Sequence, residues 1–572
     1  MPENALLPSK QAWLKLELPA CLDSLLTIQA TLTEFAGRQA FPVQQQFKLE
    51  LALEELVTTV LRFSLDETDA DSQVFRLDVR LEDGFLKVRL NSRGLPFNWS
   101  MIPEYDPRQA HQSDLLNTPL DEGLSAFLLK QVVDQYQLSN LGKEGVSIEL
   151  AWRLAGGHIA TLEGALETDN ADNENVTDSE TQASGVSDEP LSPVRRLYAG
   201  EEIQVSRLVY RSYGYTYVDD TLYYPDGIRK AIASETLDSW VVAGETSGEL
   251  VGHIALMRAK PDDPLVEWGM AVVSPRLRGR GLMKTMVRHL MQALSKSNAQ
   301  VAFAHAVAIH PYTQKTALEF GFQPTALQLG FAPAIKFKQL DESAQHREST
   351  YISMRFFQTV REKRVYLPAW HQAWLKTLMA GFHDLQVDDI QVVGSDEALA
   401  DDPNAVQEIS QLAAQRRLAH QSVLSAGAPE NHQAWSNSQL SSHLNAALNI
   451  AQIELQQAGA DLVALLSREL YRLSSEKVDV IYLQINLADP QAPRNIAVAE
   501  TLGFFVSGWM PMSPWPMTLS LQYLNHVEIP PHSVTAASDA FETLKNRVFA
   551  EQALIEQLML SQYGSSTAGV GH

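Results

Sequence analysis

An acidic, polar segment divides the chain. It runs over residues 166–193, reads LETDNADNENVTDSETQASGVSDEPLSP, and offers almost no apolar side chain to a core. Because such a stretch cannot offset the entropic cost of ordering itself, we expect a disordered linker there. The chain therefore cannot fold around a single core, and its 572 residues suffice for three or four domains.

The composition excludes several classes of partner. The net charge is -24 at pH 7 and the pI is about 5.0, so we expect neither nucleic acid nor a membrane surface as a partner. The single cysteine, Cys21, excludes a disulfide framework and a Cys-rich metal site, and we expect no metal. The opening MPENALLPSKQAW lacks the pattern of a signal peptide, and no apolar run reaches membrane-spanning length. These features predict a cytoplasmic multidomain protein.

Before the linker, the apolar periodicity predicts helices packed on an antiparallel sheet. WLKLEL is typical of a strand, and residues 20–36 and 47–63 are typical of helices. FRLDVRLEDGFLKVRLNS alternates on both sides of Asp83-Gly84, as a hairpin does. A third helix over 124–136 and a last strand, VSIELAWRL, complete an α+β sandwich.

After the linker, the pattern predicts a mixed β-sheet flanked by helices. A helix and a tyrosine-rich segment (residues 210–227, YRSYGYTYVDDTLYYPDG) precede a hairpin and the strand LVEWGMAVVS. A loop, PRLRGRG, leads into a helix with one apolar face over residues 282–294. The strand AQVAFAHAVAIH, a helix over 313–320, the sequence GFQP and the strand TYISMRFF follow.

The loop between that strand and helix has the chemistry of an anion site. Gly279 and Gly281 permit backbone angles closed to other residues, so successive N–H groups can face one concavity. The following helix N-terminus also favours negative charge. A basic cluster lies here in an otherwise acidic chain. A binding site for a diphosphate explains this cluster better than the alternative, a basic turn that is merely solvated. The members of the cluster are Arg276, Arg278, Arg280, Lys284 and Arg288.

The run Arg276-x-x-Gly279-x-Gly281, after a strand and before an amphipathic helix, resembles the acyl-CoA loop of the GNAT N-acetyltransferase superfamily. The resemblance covers about residues 194–358. It implies acetyl-CoA as cofactor, with the backbone of Val272 and Val273 bonding the pantetheine arm and Gln314 making a side-chain contact. It also implies a pyrophosphate held by the N–H groups of the loop residues Leu277, Arg278, Gly279, Arg280, Gly281 and Leu282.

The same resemblance suggests catalytic residues. Glu267 stands where the family often places its base, although a carboxylate that faces solvent or forms an ion pair is an equal alternative. His305 and His310, on and at the end of the next strand, are further candidates, with a merely polar role as the alternative. Many members carry a tyrosine as the acid for the leaving thiolate; here Ala317 occupies that position, and Tyr312 is close in sequence but not at the matching position. We therefore predict Glu267, His310 and Tyr312 as the catalytic set.

The tyrosine-rich segment lies where the family covers its acceptor. Its six tyrosines, with Asp219, Asp220 and Asp226, suit a cationic or aromatic acceptor through cation–π and ionic contacts. The alternative is an aromatic loop that simply packs on the sheet.

The amino-terminal motifs resemble the anti-sigma-factor serine kinases of the GHKL (histidine-kinase-like) ATPase superfamily, over about residues 13–154. Glu55 matches the family's acidic position, and Gly94 and Gly123 match its glycines. Thr59 and Ser92 replace the metal-holding Asn and the adenine-reading Asp. The resemblance implies that the fold persists while ATP-Mg²⁺ binding is weak or lost. A module that regulates the enzyme or binds a protein partner is then expected.

The carboxyl-terminal part partly repeats the central one. VIYLQINLADPQAPRNIAVAETLGFF follows the plan of VAFAHAVAIHPYTQKTALEFGFQP: strand, proline break, short helix, Gly-Phe. Ahead of it, AALNIAQIELQQAG is predicted as a helix and residues 461–473 as a second helix or its continuation. This segment predicts a diverged GNAT-like unit without the Arg/Gly loop.

The predicted organisation is α/β and α+β multidomain. We expect a GHKL-like domain at 1–160, the acidic linker at 161–193, a GNAT domain at 194–365, a degenerate GNAT-like unit at 366–545, and a helix with a flexible tail at 546–572. The predicted function is transfer of an acetyl group to an amine, regulated by the GHKL-like module. The alternative is a non-catalytic partner-switching regulator that senses acyl-CoA or nucleotide. Because the linker carries no core, removing residues 1–160 is expected to leave a folded, CoA-binding remainder.

Overall fold

The structure is a computed structural model. It describes residues 14–154 except 39–40, 42, 67–72, 83, 103–104 and 106–122, and residues 189–566 except 335–345, 395–408 and 427–436. Most of the predicted acidic linker, Asp83 of the predicted hairpin turn and the last six residues lie outside this part of the chain.

The amino-terminal body (residues 14–154) is an antiparallel sheet covered by helices, as its sequence predicts. The strand order is β1-β2-β3-β5-β4, and the core lies between this sheet and the helices. The elements are β1 (Leu14–Pro19), α1 (Asp23–Arg38), α2 (Val43–Phe63), β2 (Val74–Glu82), β3 (Phe85–Ser92), α3 (Leu124–Val132), β4 (Gln135–Asn140) and β5 (Val146–Arg153).

The helix predicted over 124–136 is shorter than expected. It ends at Val132, whose carbonyl accepts a hydrogen bond from Trp152 Nε1 at 3.0 Å. Tyr136 lies instead in β4 and pairs with Leu150 of β5. The ladder with β5 satisfies the backbone of these residues, and this tertiary pairing outweighs their local helix propensity.

The central elements match the predicted order, with three more than predicted: the short strand β6, the helix α5 before the hairpin, and the strand β11 after the Gly-Phe turn. They are β6 (Arg195–Arg196), α4 (Glu202–Tyr213), α5 (Pro225–Ala233), β7 (Leu237–Ala243), β8 (Leu250–Met257), β9 (Leu265–Val273), α6 (Leu282–Leu294), β10 (Val301–Val307), α7 (Tyr312–Glu319), β11 (Gln323–Ala332) and β12 (Glu348–Phe356).

The last residues of the predicted linker are ordered. The Glu189 carboxylate accepts hydrogen bonds from the N–H groups of Thr246 and Ser247 and from the Ser247 hydroxyl, at 2.7 to 3.1 Å. These bonds lower the pKa of Glu189. Leu191 forms a bridge with Gly244, so residues 189–193 belong to the folded unit because the β7–β8 turn binds them.

The carboxyl-terminal elements begin with a parallel pair of strands. They are β13 (Val360–Pro368), α8 (Gln372–Ala380), β14 (Leu385–Val393), α9 (Ile409–Ala426), β15 (Gln439–Asn445), β16 (Ile450–Gln457), α10 (Leu462–Ser475), β17 (Val480–Asn486), α11 (Ala492–Thr501), β18 (Phe505–Trp509), β19 (Thr518–Leu524) and α12 (Asp539–Ser566). The domain boundaries predicted at 365/366 and 545/546 fall inside β13 and α12.

The helix predicted for AALNIAQIELQQAG is wrong, because these residues form the end of a β-hairpin and strand β16. Ala451, Ile453 and Leu455 are buried and alternate with more exposed polar residues, which is the period of a strand. The helix predicted over 461–473 is present as α10.

One sheet joins the central and carboxyl-terminal parts. Among the described residues it has twelve strands in the order β15-β16-β17-β19-β18-β11-β12-β10-β9-β8-β7-β6. We call β6–β12 the central half and β15–β19 the carboxyl-terminal half. They meet where Ala326 of β11 pairs with Gly508 of β18, and a Cβ at Gly508 would lie 2.2 Å from Ala326 Cα. Only glycine permits this close approach.

Read outward from that junction, the two halves have the same strand pairing. Each has antiparallel, antiparallel, parallel and antiparallel pairs in turn: β11-β12-β10-β9-β8 on one side and β18-β19-β17-β16-β15 on the other. The equivalent parallel pairs begin at Leu265↔Val301 and Ile450↔Val480.

A buried ionic cluster ties the carboxyl-terminal helices together. The Glu500 carboxylate on α11 accepts hydrogen bonds from His371 Nε2 at 2.7 Å, from His420 Nε2 at 2.6 Å and from Arg416 Nη1 at 3.0 Å. Arg416 also bonds Glu551 on α12. Burial alone would raise the pKa of Glu500, but Arg416 and His371 hold that pKa well below its usual range. Because its carboxylates already bond guanidinium groups, the cluster is a structural network rather than a metal site.

Replacing Glu500 with alanine is expected to lower the free energy of unfolding by about 3 kcal/mol, because Arg416 is only 1% exposed and would lose one of its two carboxylate partners. Hydrogen exchange of α11 peptides in increasing urea measures this. Arg472→Ala is the control: its ion pairs with Glu469 and Glu476 are partly exposed, so a loss of about 1 kcal/mol or less is expected. Equal losses in the two variants would contradict a structural role for the cluster.

Within the described part of the chain, no helix combines the length and the apolarity needed to cross a membrane.

Candidate functional site

The two parallel strands of the central half separate part of the way along. β9 and β10 pair at Leu265↔Val301, Val266↔Ala302 and Glu267↔Phe303. Beyond Glu267 no further pair joins these two strands, although within the described residues β9 continues to Val273 and β10 to Val307. Val272 pairs with His253 of β8 and Ser274 N–H bonds the Val251 carbonyl, so among these residues the N–H and C=O groups of Val273 face the unpaired side of β9 and are available to a ligand.

A buried histidine fixes an irregularity in β9 at this separation. Met270 has a left-handed φ of 50°, and the β8–β9 register shifts beside it. His253 Nδ1 bonds the Met270 carbonyl at 2.8 Å, and its Nε2 bonds Ser239 Oγ at 2.7 Å. Since a carbonyl can only accept, His253 donates from Nδ1 and accepts the Ser239 hydroxyl at Nε2. Burial lowers the pKa of His253 to about 4, which keeps the ring neutral.

This histidine predicts an acid-sensitive contribution to stability. The unfolded chain binds a proton at His253 near pH 6.5, whereas the folded chain does so only near pH 4. The contribution is therefore complete above pH 6.5 and falls by about 3 kcal/mol as the pH drops to 4. Urea denaturation across this range is expected to show a steeper acid loss for the native chain than for His253→Gln. Parallel profiles would contradict the neutral ring.

The Arg/Gly loop forms an open cradle at the start of α6. Gly279 and Gly281 have φ values of 79° and 81°, and a Cβ at either would meet no atom within 4 Å. Gly281 is the N-cap of α6, and the first helical bond is Thr285 N–H to the Gly281 carbonyl at 3.2 Å. The N–H groups before it have no carbonyl to bond within the helix. Within the loop, the N–H groups of Leu277, Arg278 and Arg280 already donate to the carbonyls of Ser274, Pro275 and Leu277. Positive φ, empty space and the helix N-terminus therefore coincide at Gly279 and Gly281, which is where an anion would fit.

The arginines of the loop do not all face the same surroundings. Arg276 and Arg280 are exposed, whereas Arg278 is half-buried beside Tyr213. Burial lowers the pKa of Arg278 and raises the pKa of Tyr213 to about 12. Arg278 thus links the anion cradle to the tyrosine-rich segment.

The structure brings together an acid and a base across the separating strands. His305 Nδ1 of β10 lies 2.8 Å from Glu267 Oε1 of β9. Their side chains are 25% and 27% exposed, and the His305 ring stacks on Phe331 with centroids 4.9 Å apart. Because a carboxylate accepts hydrogen bonds, the Nδ1–H donates to Glu267, and Nε2 keeps its lone pair. Sequence reasoning named both residues but did not pair them.

The other predicted catalytic residues lie beyond the end of β10. His310 is buried with its ring against Tyr312, which is 61% exposed on the first turn of α7. Ala317, at the position of the usual tyrosine acid, is fully buried.

A cofactor contact is predicted for the Gln314 side chain, and in the structure this side chain bonds the main chain of the same polypeptide. Its side chain is fully buried, donates to the Thr535 carbonyl at 2.9 Å and accepts from the Ala537 N–H at 2.9 Å. Glu348 accepts from the N–H groups of Ala308 and Ile309 nearby, and burial raises its pKa to about 7. Gln314 therefore fastens the segment between β19 and α12 to the end of β10, where it also donates to the Val307 carbonyl.

The tyrosine-rich segment covers the acid–base pair. Burial raises the pKa of the Tyr217 hydroxyl far above its usual value, and the charges of Asp219 and Glu267 add to this rise. Tyr213 and Tyr217 pack with ring centroids 4.9 Å apart. Both hydroxyls stay protonated at neutral pH, because burial raises both pKa values.

The predicted nucleotide residues of the amino-terminal body are mostly buried. Thr59 and Ser92 are 1% and 2% exposed, and among the described residues their hydroxyls have no hydrogen-bond partner. Gly94 and Gly123 are buried, and Glu55 is half-buried. A Cβ at Gly94 would lie 2.0 Å from the Ser64 carbonyl oxygen, so packing explains this glycine without a ligand.

Comparison with known proteins identifies the central segment. Residues 204–322 match the Acetyltransferase (GNAT) family. No curated protein sequence matches the chain. Similar solved structures include the ribosomal-protein-S18-alanine N-acetyltransferase from Escherichia coli, at 13% identity over 30% of this chain and 96% of that one, with a TM-score of 0.24. Mutant forms of a spermidine/spermine N-acetyltransferase from Vibrio cholerae match at 16% identity over 29% of this chain and 95% of that one, with a TM-score of 0.23. Likenesses at this level say nothing about the acceptor.

Proposed function

Since residues 204–322 give the chain an acetyltransferase (GNAT) domain and make it an acyltransferase, we propose that it transfers an acetyl group from acetyl-CoA to an amine. The observation that carries this proposal is the Glu267–His305 pair, which lies where β9 and β10 separate. Glu267 is on β9, the strand that leads into the Arg/Gly cradle.

The empty space at Gly279 and Gly281 and the start of α6 beside it fit a diphosphate. We assign the pyrophosphate to the N–H groups of Gly279, Gly281 and Leu282, with Arg276 and Arg280 adding charge, because the N–H groups of Leu277, Arg278 and Arg280 bond loop carbonyls. The free edge of β9 at Val273 accounts for the pantetheine arm. The bound cofactor supplies an acetyl thioester, and the residues of the chain hold and activate the acceptor beside it.

His305 is the general base in this proposal. Its Nε2 accepts a proton from the acceptor ammonium, while Glu267 fixes the tautomer through Nδ1–H and stabilises the imidazolium that forms. The neutral amine would then be able to attack the thioester that the cofactor supplies; as the C–S bond breaks, the second proton of the amine nitrogen would pass to the departing thiolate, giving amide and thiol. Because thiolates are less basic than amines, this departure does not require a proton donor at Ala317.

We infer that the carboxyl-terminal half is a diverged copy without this chemistry. By register from the first parallel pair, Gln452 stands at the position of Glu267 and Gln484 at that of His305. Neutral amides can neither accept a proton nor stabilise a cation as the pair does. The loop before α10 carries Asp461 in place of a basic cluster, and this charge would repel a phosphate.

Calorimetric titration of the full chain with acetyl-CoA, and with ATP-Mg²⁺ in parallel, tests the cofactor. Thiol release from acetyl-CoA with a panel of primary amines then tests transfer. We expect about one acetyl-CoA per chain and amine-dependent thiol release. Binding without release for any amine would support a sensor of acyl-CoA, and heat from ATP-Mg²⁺ alone would overturn the proposal.

A further inference from the structure

We propose that the amino-terminal body positions the acceptor side of the acetyltransferase site by holding the tyrosine-rich segment at Tyr215 and Asp220. This inference rests on the proposed function for its meaning. It makes the amino-terminal body a working part of the enzyme rather than an appended module.

The two bodies meet through main-chain carbonyls of the amino-terminal body. Arg207 of α4 donates to the Phe63 carbonyl at 3.0 Å and to the Pro96 carbonyl at 2.8 Å. The Tyr210 hydroxyl donates to the Arg93 carbonyl at 3.1 Å and accepts from Gln73 Nε2 at 2.9 Å. Burial lowers the pKa of Arg207 to about 10. These bonds fix the helix that leads into the tyrosine-rich segment.

The tyrosine-rich segment is held at two further points. The Tyr215 hydroxyl donates to the Gly94 carbonyl at 2.6 Å, with the Arg93 guanidinium 5.3 Å from the ring centroid. Lys143 forms an ion pair with Asp220. Beside it, a Cβ at Gly142 would lie 2.1 Å from Tyr224 Cζ. The main chain at Gly142 therefore packs directly against the Tyr224 ring and leaves no room for a side chain.

The same segment leads from Tyr215 to the tyrosine nearest the acid–base pair. The Tyr215 ring packs on Tyr223 with centroids 5.4 Å apart, and the Tyr223 hydroxyl accepts the Tyr217 N–H at 3.0 Å. The charge of Glu267 in turn contributes to the raised pKa of Tyr217. One ring contact, one hydrogen bond and one electrostatic interaction therefore lead from Tyr215, which bonds the Gly94 carbonyl, to the acid–base pair. A loop held from outside in this way has its inner tyrosines placed for the acceptor before it binds.

The test uses the full chain with the double substitution Tyr215→Phe and Lys143→Ala. The first keeps the ring and removes its bond to Gly94, and the second removes the ion pair. We expect amide exchange over residues 214–221 to rise about tenfold and carbethoxylation of His305 by diethyl pyrocarbonate to accelerate severalfold, both read by mass spectrometry. The Kd for acetyl-CoA is expected to stay unchanged, since the cradle lies on α6. Tyr471→Phe, at a tyrosine 76% exposed on α10, is the matched control.

Unchanged loop exchange and unchanged His305 reactivity in the double variant would overturn the inference. If exchange rises throughout β1–β5, the amino-terminal body has unfolded. The single Tyr215→Phe variant then decides, with an expected rise of about threefold confined to residues 214–221. Failure of acetyl-CoA to bind the native chain would refute the proposed function alone, because the exchange and modification experiments need no cofactor. Once an acceptor is known, its KM is expected to rise in the double variant more than kcat falls.

Discussion

Replacing Gly281 with glutamate is expected to abolish acetyl-CoA binding, with a loss of affinity of at least about a thousandfold. Gly281 is the N-cap of α6 with a φ of 81°, and the space beside it is empty. A glutamate would be strained in this conformation and would place a carboxylate in the cradle, where it would repel the pyrophosphate. Calorimetric titration measures the effect.

A matched glycine separates loss of the site from loss of the fold. Gly248, in the β7–β8 turn, has a φ of 65° and also has no atom within 4 Å of a Cβ. Gly248→Glu introduces the same charge and a similar strain away from the cradle, so its affinity for acetyl-CoA is expected to be native. If Gly281→Glu binds acetyl-CoA as Gly248→Glu does, the pyrophosphate assignment is wrong.

Replacing His305 with glutamine is expected to lower kcat by about 10³-fold, within the range for loss of a general base. Glu267→Gln is expected to lower kcat by about 10²-fold, because the amide leaves the imidazolium without a counter-charge. Neither change reaches the cradle, so the Kd for acetyl-CoA is expected to stay native. Thiol release with the accepted amine, measured across pH, gives the rates.

The carboxyl-terminal half supplies the control for this pair. Gln452→Ala changes the position equivalent to Glu267, and no change in kcat is expected. A loss of activity in Gln452→Ala as large as that in Glu267→Gln would refute the assignment of chemistry to the central half. Native activity in His305→Gln would show that another group takes the proton.

The features that could be predicted are those that local sequence determines. Gly279, Gly281 and the arginines around them lie within six residues, between a strand and an amphipathic helix, so the cradle can be recognised without knowledge of the fold. The antiparallel sheet of the amino-terminal body likewise follows from alternation and a hairpin turn. The resemblance of that body to GHKL ATPases, and a role in partner switching, remain predictions.

What could not be predicted depends on register and on contacts distant in sequence. Glu267 and His305 are brought together only by the β9–β10 ladder, and the sequence suggested His310 and Tyr312 equally well. IAQIELQQ satisfies both a helical and a strand pattern, and its pairing with β15 and β17 decides between them. The bonds from Arg207 and Tyr215 to main-chain carbonyls leave no trace in sequence, because any residue supplies a carbonyl. The prediction that the chain without residues 1–160 folds and binds CoA does not take these contacts into account.

The β11–β18 junction has a consequence for how the chain assembles. Without the carboxyl-terminal half, β11 would present unpaired N–H and C=O groups at an open edge, where a second molecule could add a strand. Here the strand that covers the edge belongs to the same polypeptide, so the association is unimolecular. It does not weaken on dilution, and it needs no symmetric partner. Under the proposal that the carboxyl-terminal half is a diverged copy, this half acts as a permanent internal subunit that needs no chemistry of its own.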